Sequence, residues 1–317
     1  MFNRTDLDAA RDIVGAVLPP TAQIHWPLLS RRIGAELFVK HENHNPTGSF
    51  KVRGGLTYFD RLVRERPQVK RLVSATRGNH GQSLAFASVI HGVPVRIFVP
   101  HGNSSEKNAA MRAYGAELVE DGTDFENARQ AAMRNAFESG VEMVPSFHRD
   151  LVVGVATYAL ELFISVEKID TLYVPIGLGS GIVGCIMARD LLGLKTEIVG
   201  VQASGAPSYA LSFVQGRVVE TNGANTIADG IATRSPDAEA VQIINRRAAR
   251  IVQVSEEEIT EAIRAYWTDT HNLAEGGAAA ALAGAIQERS KLAGKRAAVI
   301  LSGGNIDLAL FRKSMTD

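Results

Sequence analysis

Short runs of β-branched residues alternate with longer amphipathic stretches from about residue 70 onward, a pattern typical of a largely parallel α/β sheet. The pattern predicts helices over 79–91 and 104–114, and strands over 71–75, 93–99, 116–120, 171–176, 196–202 and 296–301. Ligands bind outside the carboxyl ends of the strands in such folds, and three glycine-bearing loops fall there. We therefore predict a doubly wound α/β fold of two lobes, with residues 145–150 as the crossover between them.

The composition favours a compact protein that binds a small molecule. The 317 residues are 45% hydrophobic, which is enough to bury a large core. Thirty-four basic residues balance thirty-four acidic ones, so no overall field would attract nucleic acid or an anionic membrane. The single cysteine, Cys185, fits a reducing cytoplasm. The acidic N-terminus is unlike a signal peptide, and no apolar run is long enough to span a bilayer.

A lysine lies between turn residues and the predicted start of a helix, in the run Asn-Pro-Thr-Gly-Ser-Phe-Lys-Val-Arg-Gly-Gly over residues 45–55. A lysine that loses contact with water is easier to deprotonate, and only the neutral amine forms a Schiff base with an aldehyde. Lys51 is therefore the candidate covalent anchor for an aldehyde cofactor.

A glycine-rich loop over residues 177–184 follows a predicted strand and leads into an apolar helix. Glycines let backbone amides approach an anion closely, and a helix N-terminus adds partial positive charge, so the loop predicts a phosphate cradle. Residues 179–184 also match the dinucleotide-binding fingerprint by spacing, which makes a nicotinamide enzyme the alternative. That alternative needs an acidic residue after the next strand, where this chain has Gln202, Ala203 and Ser204. A nicotinamide enzyme is therefore disfavoured.

Two further loops follow predicted strands. In the first, Thr76 to Gly81, the amides and the Thr76 hydroxyl could bind a substrate carboxylate and Asn79 could bond a ring hydroxyl; simple helix capping is the alternative. The second, Ser302 to Asn305, has a neutral hydroxyl at the carboxyl end of a strand. Such a hydroxyl can meet a pyridine nitrogen without protonating it, and a plain strand-to-helix turn is the alternative.

Together and in this order, the lysine motif, the Gly-Asn-His loop, the glycine cradle and the Ser-Gly-Gly-Asn segment resemble the fold type II pyridoxal phosphate enzymes. The chain is similar to the group of serine/threonine dehydratases (threonine ammonia-lyases) and serine racemases from about Pro27 to Leu310. Thr226 to Gly230 looks like the loop that lines the active site in that family.

The resemblance implies an α/β fold like that of the tryptophan synthase β chain, with the cofactor between two doubly wound lobes. A large cofactor-binding domain would comprise residues 1–52 and 147–317, and a small mobile domain residues 53–146.

The resemblance also implies roles for individual residues. Lys51 would be the catalytic residue and hold pyridoxal 5'-phosphate covalently. The other cofactor contacts would be Phe50 behind the ring, Asn79 at the ring hydroxyl, Ser302 at the pyridine nitrogen, and Gly177, Leu178, Gly179, Ser180 and Gly181 around the phosphate. The substrate contacts would be Ser49, Thr76, Arg77, Gly78, Asn79 and His80.

The neutral serine narrows the reaction that the resemblance implies. An unprotonated pyridine nitrogen makes the cofactor a weaker electron sink than one paired with aspartate. β-Elimination suits such a cofactor better than transamination, because loss of the β-substituent drains electron density from the α-carbon. The implied reaction is dehydration of a β-hydroxy-α-amino acid of the L-threonine/L-serine class, with Lys51 taking the α-proton and a 2-oxo acid and ammonia as products.

The chain departs from the family at several positions. Arg77 stands where serine racemases carry a second serine, and a guanidinium is always charged, so we expect little or no racemisation. Gln202 and Ser208 replace the acidic ligands of the family's divalent-cation site, so we expect no metal there. Leu178 and Ser180 interrupt the glycines of the cradle, although backbone amides can still serve.

Glu275 aligns with an acidic residue that lies near the cofactor in relatives. The alternative for this carboxylate is a contact with a helix N-terminus, where the helix dipole stabilises it.

The substrate side chain stays open at this point. A dehydratase for 3-hydroxyaspartate is favoured if Arg77 points inward rather than to solvent, and one for 3-phenylserine if the small residues from Ala203 to Pro207 leave room for a ring. An amino acid racemase is disfavoured by Arg77, and a β-replacement synthase by the dehydratase-like segments. A non-catalytic binding protein is left only if Lys51 binds no cofactor.

The last expectations concern control and assembly. The chain stops soon after Asn305, without the regulatory domain of biosynthetic threonine dehydratases, which predicts a catabolic enzyme. The family implies a cytoplasmic homodimer whose partner is a small amino acid.

Overall fold

The computed structural model describes residues 1–316, in which the strands form two separate sheets. The strands are β1 (Gln23–His25), β2 (Glu36–His41), β3 (Leu72–Ala75), β4 (Val95–Val99), β5 (Glu117–Glu120), β6 (Glu142–Met143), β7 (Thr171–Pro175), β8 (Glu197–Ala203), β9 (Arg250–Val254) and β10 (Arg296–Leu301). A six-stranded sheet has the order β1-β2-β10-β7-β8-β9, and a four-stranded sheet has the order β5-β4-β3-β6.

Helices surround both sheets. They are α1 (Arg4–Gly15), α2 (Pro27–Ile33), α3 (Lys51–Glu65), α4 (Asn79–His91), α5 (Ser105–Ala113), α6 (Phe125–Ser139), α7 (Arg149–Ser165), α8 (Ser180–Leu191), α9 (Ser208–Gln215), α10 (Ala238–Arg247), α11 (Glu256–Thr270), α12 (Gly276–Gln287), α13 (Arg289–Leu292) and α14 (Leu308–Met315). Two short 3-10 helices cover Glu42–His44 and Asp229–Ile231. None of the helices within residues 1–316 is both long and apolar enough to cross a membrane.

The strands of both sheets run parallel, apart from β1, which pairs antiparallel with β2. Neighbouring parallel strands are not joined by tight turns, because such pairs need a long crossover, here supplied by helices. The predicted doubly wound α/β fold is therefore confirmed.

The core explains why the central strands read as continuous apolar runs. In β10, Ala298 and Ile300 pack on the side of α7 and α8, whereas Val299 and Leu301 pack on the side of α11 and α12. A parallel strand that is covered by helices on both faces needs apolar residues at every position, not at alternate ones. This packing buries the six-stranded sheet and fixes the carboxyl ends of its strands as the exposed edge for ligands.

The predicted elements agree with the structure to within about two residues at their ends, the usual uncertainty of such boundaries. Helix α4 begins and ends at the predicted residues, and so does β10. After β6 the chain leaves the four-stranded sheet and enters α7 at Arg149, which lies inside the predicted crossover at 145–150.

Strand β2 was not predicted from the sequence, although it pairs with β10 near the centre of the larger sheet. Its sequence Glu-Leu-Phe-Val-Lys-His includes Lys40, which is fully buried. The Lys40 Nζ donates to Glu161 over 2.5 Å and to the backbone carbonyl of Thr21 over 2.8 Å. These partners lie far away in the sequence. The residues next to Lys40 give no sign of them, so the sequence suggests an exposed lysine rather than a buried strand.

Candidate active site

The lysine motif and the Ser-Gly-Gly-Asn loop lie side by side. Lys51 is the first residue of α3, and the preceding Phe50 donates its backbone N–H to the carbonyl of Ser302 over 3.0 Å. Gly304 donates in turn to the carbonyl of Gly48 over 2.9 Å, and Ser49 forms a β-bridge with Gly303. Two predicted loops that are about 250 residues apart in sequence therefore form one continuous floor, because the lysine motif follows β2 and β2 pairs with β10.

The Lys51 amine lies beside the glycine loop. Its Nζ donates to Ser180 Oγ over 3.2 Å and stands 5.0 Å from the centre of the Phe50 ring. Burial lowers the pKa of Lys51 to about 8, against the opposing attraction of Glu275. The amine is thus far easier to deprotonate than a lysine in water.

The glycine loop connects β7 to α8 in a conformation that only glycine tolerates. Gly179 caps α8 with a φ of 99°, and a Cβ there would lie 2.7 Å from the Cβ of Ala240. A Cβ on Gly177 would lie 2.4 Å from the carbonyl oxygen of Gly230. The free amides at the start of α8 and its partial positive charge suit an anion such as phosphate.

Asn79 does not cap α4 with its side chain, so helix capping is the wrong explanation for this residue. The N-cap is Gly78, without a side-chain bond. Asn79 Nδ2 instead donates to Glu275 Oε1 over 2.7 Å, and Asn79 Oδ1 accepts from Asn305 Nδ2 over 2.7 Å. The side chain of Asn79 therefore joins two of the predicted loops, 76–81 and 302–305, to Glu275.

Glu275 is the N-cap of α12 and makes no side-chain capping bond there, so the predicted alternative, a carboxylate stabilised by the helix dipole, stays open beside its contact with Asn79. Its carboxyl lies close to Gly303, where a Cβ would come within 2.7 Å of Oε1. Burial raises the pKa of Glu275 to about 7, despite the nearby charge of Lys107 and the hydrogen bond from Asn79.

The remaining predicted substrate contacts border the same space. The Thr76 hydroxyl accepts from the backbone N–H of Gly78 over 3.2 Å, which shapes the turn before α4. Burial lowers the pKa of His80 to about 3, so this imidazole is neutral at physiological pH. Among the described residues, His80 Nε2 and the fully buried Ser49 Oγ have no hydrogen-bond partner within the chain. Such groups are available to a ligand.

Arg77 is half-exposed and lies near Asp229, the first residue of the 3-10 helix Asp229–Ile231. Its guanidinium is 3.9 Å from Asp229, which also accepts from Lys107 Nζ over 3.2 Å. About half of the Arg77 side chain is exposed, whereas that of Lys107 is 12% exposed and packs on Gly78. Two cations thus share a single carboxylate.

Ser302 directly follows β10 and is buried, with 5% of its surface exposed. The backbone carbonyl of Leu178 accepts a hydrogen bond from Tyr209 over 2.8 Å. Gly181 lies in the first turn of α8, where an added Cβ would stand 3.8 Å from the Phe50 ring. Phe50, Ser180, Gly181 and the backbone of Ser302 therefore lie close to Lys51, and their binding of a cofactor stays a prediction.

Gln202 and Ser208 are occupied by bonds within the protein. Gln202 Oε1 accepts from the backbone N–H of Ala210 over 2.9 Å, and Ser208 Oγ donates to the carbonyl of Thr233 over 2.7 Å. Throughout residues 1–316, no three His, Cys, Asp or Glu side chains are grouped so that they could hold a metal ion.

Two contacts of the site carried no readable signal in the sequence. Lys107 looks like an ordinary exposed residue of an amphipathic helix, and only the fold brings it to Asp229. Asn305 belongs to a recognised motif, but its bond to Asn79 depends on how two distant loops pack.

A doubly wound α/β protein with a buried lysine beside a glycine-rich phosphate loop has the architecture of a fold type II pyridoxal phosphate enzyme. Residues 17–303 match the family described as pyridoxal-phosphate dependent enzyme, and the chain belongs to that family.

Relatives with known names narrow the group. The L-threonine ammonia-lyase of Geobacter sulfurreducens is 37% identical over 310 residues, which cover 97% of this chain and 77% of that protein. The L-threo-3-hydroxyaspartate ammonia-lyase of Saccharomyces cerevisiae is 31% identical over 282 residues, which cover 89% and 86%. The crystal structure of a threonine deaminase from T.th. matches with a TM-score of 0.90 and 30% identity, covering 97% of this chain and 99% of that one. The chain thus falls in the serine/threonine dehydratase and serine racemase group.

The residues present fit pyridoxal phosphate, the cofactor of this family. Lys51 offers an amine with a lowered pKa, and the glycine loop leads into the N-terminus of α8, whose first backbone amides have no partner within the helix. The Ser49 hydroxyl and the His80 Nε2 make no hydrogen bond within the described residues, so both are available to bond a ligand. An aldehyde with a phosphate tail matches both features at once.

Replacing Glu275 by glutamine should change how stability depends on pH. The pKa of Glu275 is raised on folding, so its contribution is fully present below pH 4.5 and is lost as the pH rises through about 7. The unfolding free energy of wild type relative to Glu275→Gln should fall by about 3 kcal/mol between about pH 4.5 and about pH 8. Urea denaturation of both proteins measures this difference. The exposed Glu138→Gln should show no such trend, and a relative stability that rises with pH would contradict the argument.

Proposed function

We propose that this chain is a pyridoxal phosphate-dependent dehydratase that converts a β-hydroxy-α-amino acid of the L-threonine/L-serine class into a 2-oxo acid and ammonia. The observation that carries the proposal is the Lys51 amine, 3.2 Å from Ser180 of the glycine loop, whose pKa burial lowers to about 8. A base with a pKa near the working pH combines a useful neutral fraction with sufficient basicity. The likeness to L-threonine ammonia-lyase supports the same reaction class.

The proposed roles follow from which groups lie around that amine. When bound, pyridoxal phosphate withdraws electron density from the α-carbon of the amino acid. The cofactor would be held by Lys51, by Phe50 against the ring, by Asn79 at the ring hydroxyl, by Ser302 at the pyridine nitrogen, and by the backbone of Gly177, Leu178, Gly179, Ser180 and Gly181 at the phosphate.

The substrate would be oriented by the loop before α4 and by the lysine motif. Its carboxylate would accept hydrogen bonds from Thr76 and from the backbone of Gly78 and Asn79, with Arg77 and His80 beside it. Ser49 Oγ, which has no partner among the described residues, is free to bond the substrate as well. Fixing the carboxylate aligns the Cα–H bond for removal.

Lys51 then takes the α-proton, and the β-hydroxyl leaves with a proton as water. Hydrolysis of the remaining unsaturated amine returns that water and releases ammonia, so the net products are a 2-oxo acid and ammonia. Burial and the neighbouring charge of Lys51 lower the pKa of His80 to about 3, so the imidazole stays neutral and the low pKa of Lys51 comes from its own burial.

Release of 2-oxo acid by cofactor-saturated enzyme tests the proposal. L-threonine, L-serine, threo-3-phenylserine and threo-3-hydroxyaspartate should be compared by kcat/KM. We expect threonine or serine to be preferred, and chiral analysis of unreacted serine should find little D-isomer because Arg77 cannot act as a proton shuttle. No 2-oxo acid from any of the four would overturn the proposal.

A second candidate is a dehydratase for an acidic substrate such as 3-hydroxyaspartate. Arg77 and Lys107 share Asp229, and a substrate carboxylate could compete for either cation. The S. cerevisiae relative is named for that substrate. A preference for 3-hydroxyaspartate that disappears in Arg77→Gln would favour this candidate over the first.

We propose further that residues 53–146 form a small domain that moves against the rest of the chain. Away from α3, whose Gly54 packs on Leu151 of α7, polar bonds join the two parts, as between Lys107 and Asp229 or between Ser104 and Asp307 over 2.6 Å. Such contacts can break and reform at little cost. A radius of gyration in solution that is unchanged by a bound substrate analogue would count against this movement.

A cytoplasmic, catabolic homodimer is the assembly and setting that we propose on the family resemblance. Light scattering of the purified protein decides the assembly, and a monomer at working concentration would contradict it.

A further inference from the structure

One buried tyrosine is hydrogen-bonded to the backbone of the glycine loop. Tyr209, in α9, is 1% exposed, and its hydroxyl donates to the carbonyl oxygen of Leu178 over 2.8 Å. The same hydroxyl accepts from the backbone N–H of Asp237 over 3.1 Å. Both hydrogen-bonding directions of the hydroxyl are therefore used, one on the loop and one on a fixed partner.

The fixed partner is itself well anchored. Asp237 is the N-cap of α10, and its side chain accepts from the backbone N–H of Ala240 over 3.0 Å. Ala240 also supplies the Cβ that leaves no room for a side chain on Gly179. Helices α9 and α10 thus form a rigid wall behind the loop, and Tyr209 is the polar link between that wall and the loop.

The geometry of the peptide unit connects this link to anion binding. The carbonyl of Leu178 and the N–H of Gly179 belong to one planar trans peptide, so they point in opposite directions. When Tyr209 holds the carbonyl toward the wall, the N–H of Gly179 must point away from the wall. Gly179 has a positive φ and no side chain, so its neighbouring peptide units would otherwise rotate easily.

Burial raises the pKa of Tyr209, so the hydroxyl keeps its proton and remains a donor to the carbonyl at all working pH values. A phenylalanine at this position would leave the Leu178 carbonyl and the Asp237 N–H without this partner in the interior. Unpaired buried groups favour a rearranged loop.

We propose that Tyr209 is a positioning residue for the cofactor phosphate, which fixes the amide of Gly179 toward the phosphate by holding the Leu178 carbonyl. The proposal rests on the proposed seat of that phosphate at Gly177 to Gly181. Tyr209 acts on the phosphate alone, so it should matter for pyridoxal 5'-phosphate and not for pyridoxal, which has the same aldehyde and ring without the phosphate.

The test compares both aldehydes on the full-length apoenzyme, by titration of the absorbance that appears on binding. Tyr209→Phe should raise the Kd of pyridoxal 5'-phosphate by about tenfold, the equivalent of one lost hydrogen bond, and leave the Kd of pyridoxal unchanged. Inorganic phosphate should also compete less well with the cofactor in this variant. At saturating cofactor, kcat should stay close to that of wild type.

Tyr173→Phe is the matched control. Tyr173 is also fully buried, and its hydroxyl donates to Glu288 over 2.9 Å on the other side of the sheet. This variant loses a buried hydroxyl of the same kind, so it should destabilise the fold without changing the ratio of the two Kd values.

The results distinguish the role of Tyr209 from the position of the phosphate site. Equal weakening of both aldehydes in Tyr209→Phe, or no change in either, would overturn the role of Tyr209 while leaving the seat of the phosphate intact. A wild-type protein that binds both aldehydes equally would overturn the seat and the inference together. If the apo variant proves too unstable to titrate, the rate of cofactor loss from diluted holoenzyme should rise about tenfold and an unchanged rate would refute the role.

Discussion

A Lys51→Ala variant should lose the visible absorbance of the bound cofactor and release 2-oxo acid at least about 10³-fold more slowly than wild type. The variant removes both the covalent attachment and the proposed base. The amine stands next to Ser180 of the glycine loop and has a pKa of about 8, so it is placed and tuned for both tasks. Absorbance after reconstitution and a coupled assay for the 2-oxo acid measure the two losses separately.

Two further variants show whether the effect is specific to this amine. Lys195 is exposed, and Lys195→Ala should keep the absorbance and the activity of wild type. Lys51→Arg keeps the positive charge and much of the length, but a guanidinium stays protonated and forms no stable Schiff base under these conditions. It should be as inactive as Lys51→Ala. A coloured, active Lys51→Ala would remove the central observation behind the proposed function.

The fold was predictable where the local sequence carries the whole reason for an element. The strand β10 is a continuous apolar run because both of its faces are covered, and α4 follows a glycine that caps it. The glycine loop after β7 was readable for the same kind of reason, since Gly179 adopts a backbone conformation that other residues avoid.

The candidate site was predictable in its members but not in its connections. The sequence identifies Asn79 and Glu275 as separate candidates, and in each case a helix-end role was an open alternative. The structure pairs the two side chains over 2.7 Å and closes the set with Asn305. Pairs that lie about 200 residues apart depend on how the sheets and their loops pack, and no local pattern encodes them.

The largest expected effect on stability concerns Arg53, which lies two residues after Lys51 and is fully buried. Its guanidinium donates to Glu42 over 2.7 and 3.0 Å and to Glu161 over 2.6 and 2.9 Å. Lys40 adds a second cation on Glu161 at 2.5 Å, so two positive and two negative groups balance inside the protein. The network joins β2, α3 and α7, which together position the lysine motif.

The pKa values agree with a tightly paired network. Burial alone would raise the pKa of Glu42, but the Arg53 guanidinium holds it below its usual value. A carboxyl whose pKa is lowered on folding contributes stability above its unfolded pKa and loses it as the pH falls through the folded pKa. Glu42 therefore stabilises the fold at neutral pH only while Arg53 is present.

Arg53→Met should lower the free energy of unfolding by about 3–5 kcal/mol, because it leaves the buried Glu42 and the partly buried Glu161 with a single remaining cation. Urea denaturation at neutral pH measures this loss. The exposed pair of Arg4 and Asp8 provides the control, and Arg4→Met should cost no more than about 0.5 kcal/mol.

The double variant Arg53→Met, Glu42→Leu identifies the cause of the loss. If the cost of Arg53→Met comes from an unpaired charge and not from lost packing, removal of that charge should restore part of the stability. Lys40 and Glu161 would then remain as a balanced pair. The stability loss of Arg53→Met should also be smaller at about pH 4, because Glu42 can then take a proton and is no longer an unpaired buried charge. A double variant that is less stable than Arg53→Met would assign the loss to packing around α3 instead, and a single variant that loses less than about 1 kcal/mol would mean that water already reaches these charges.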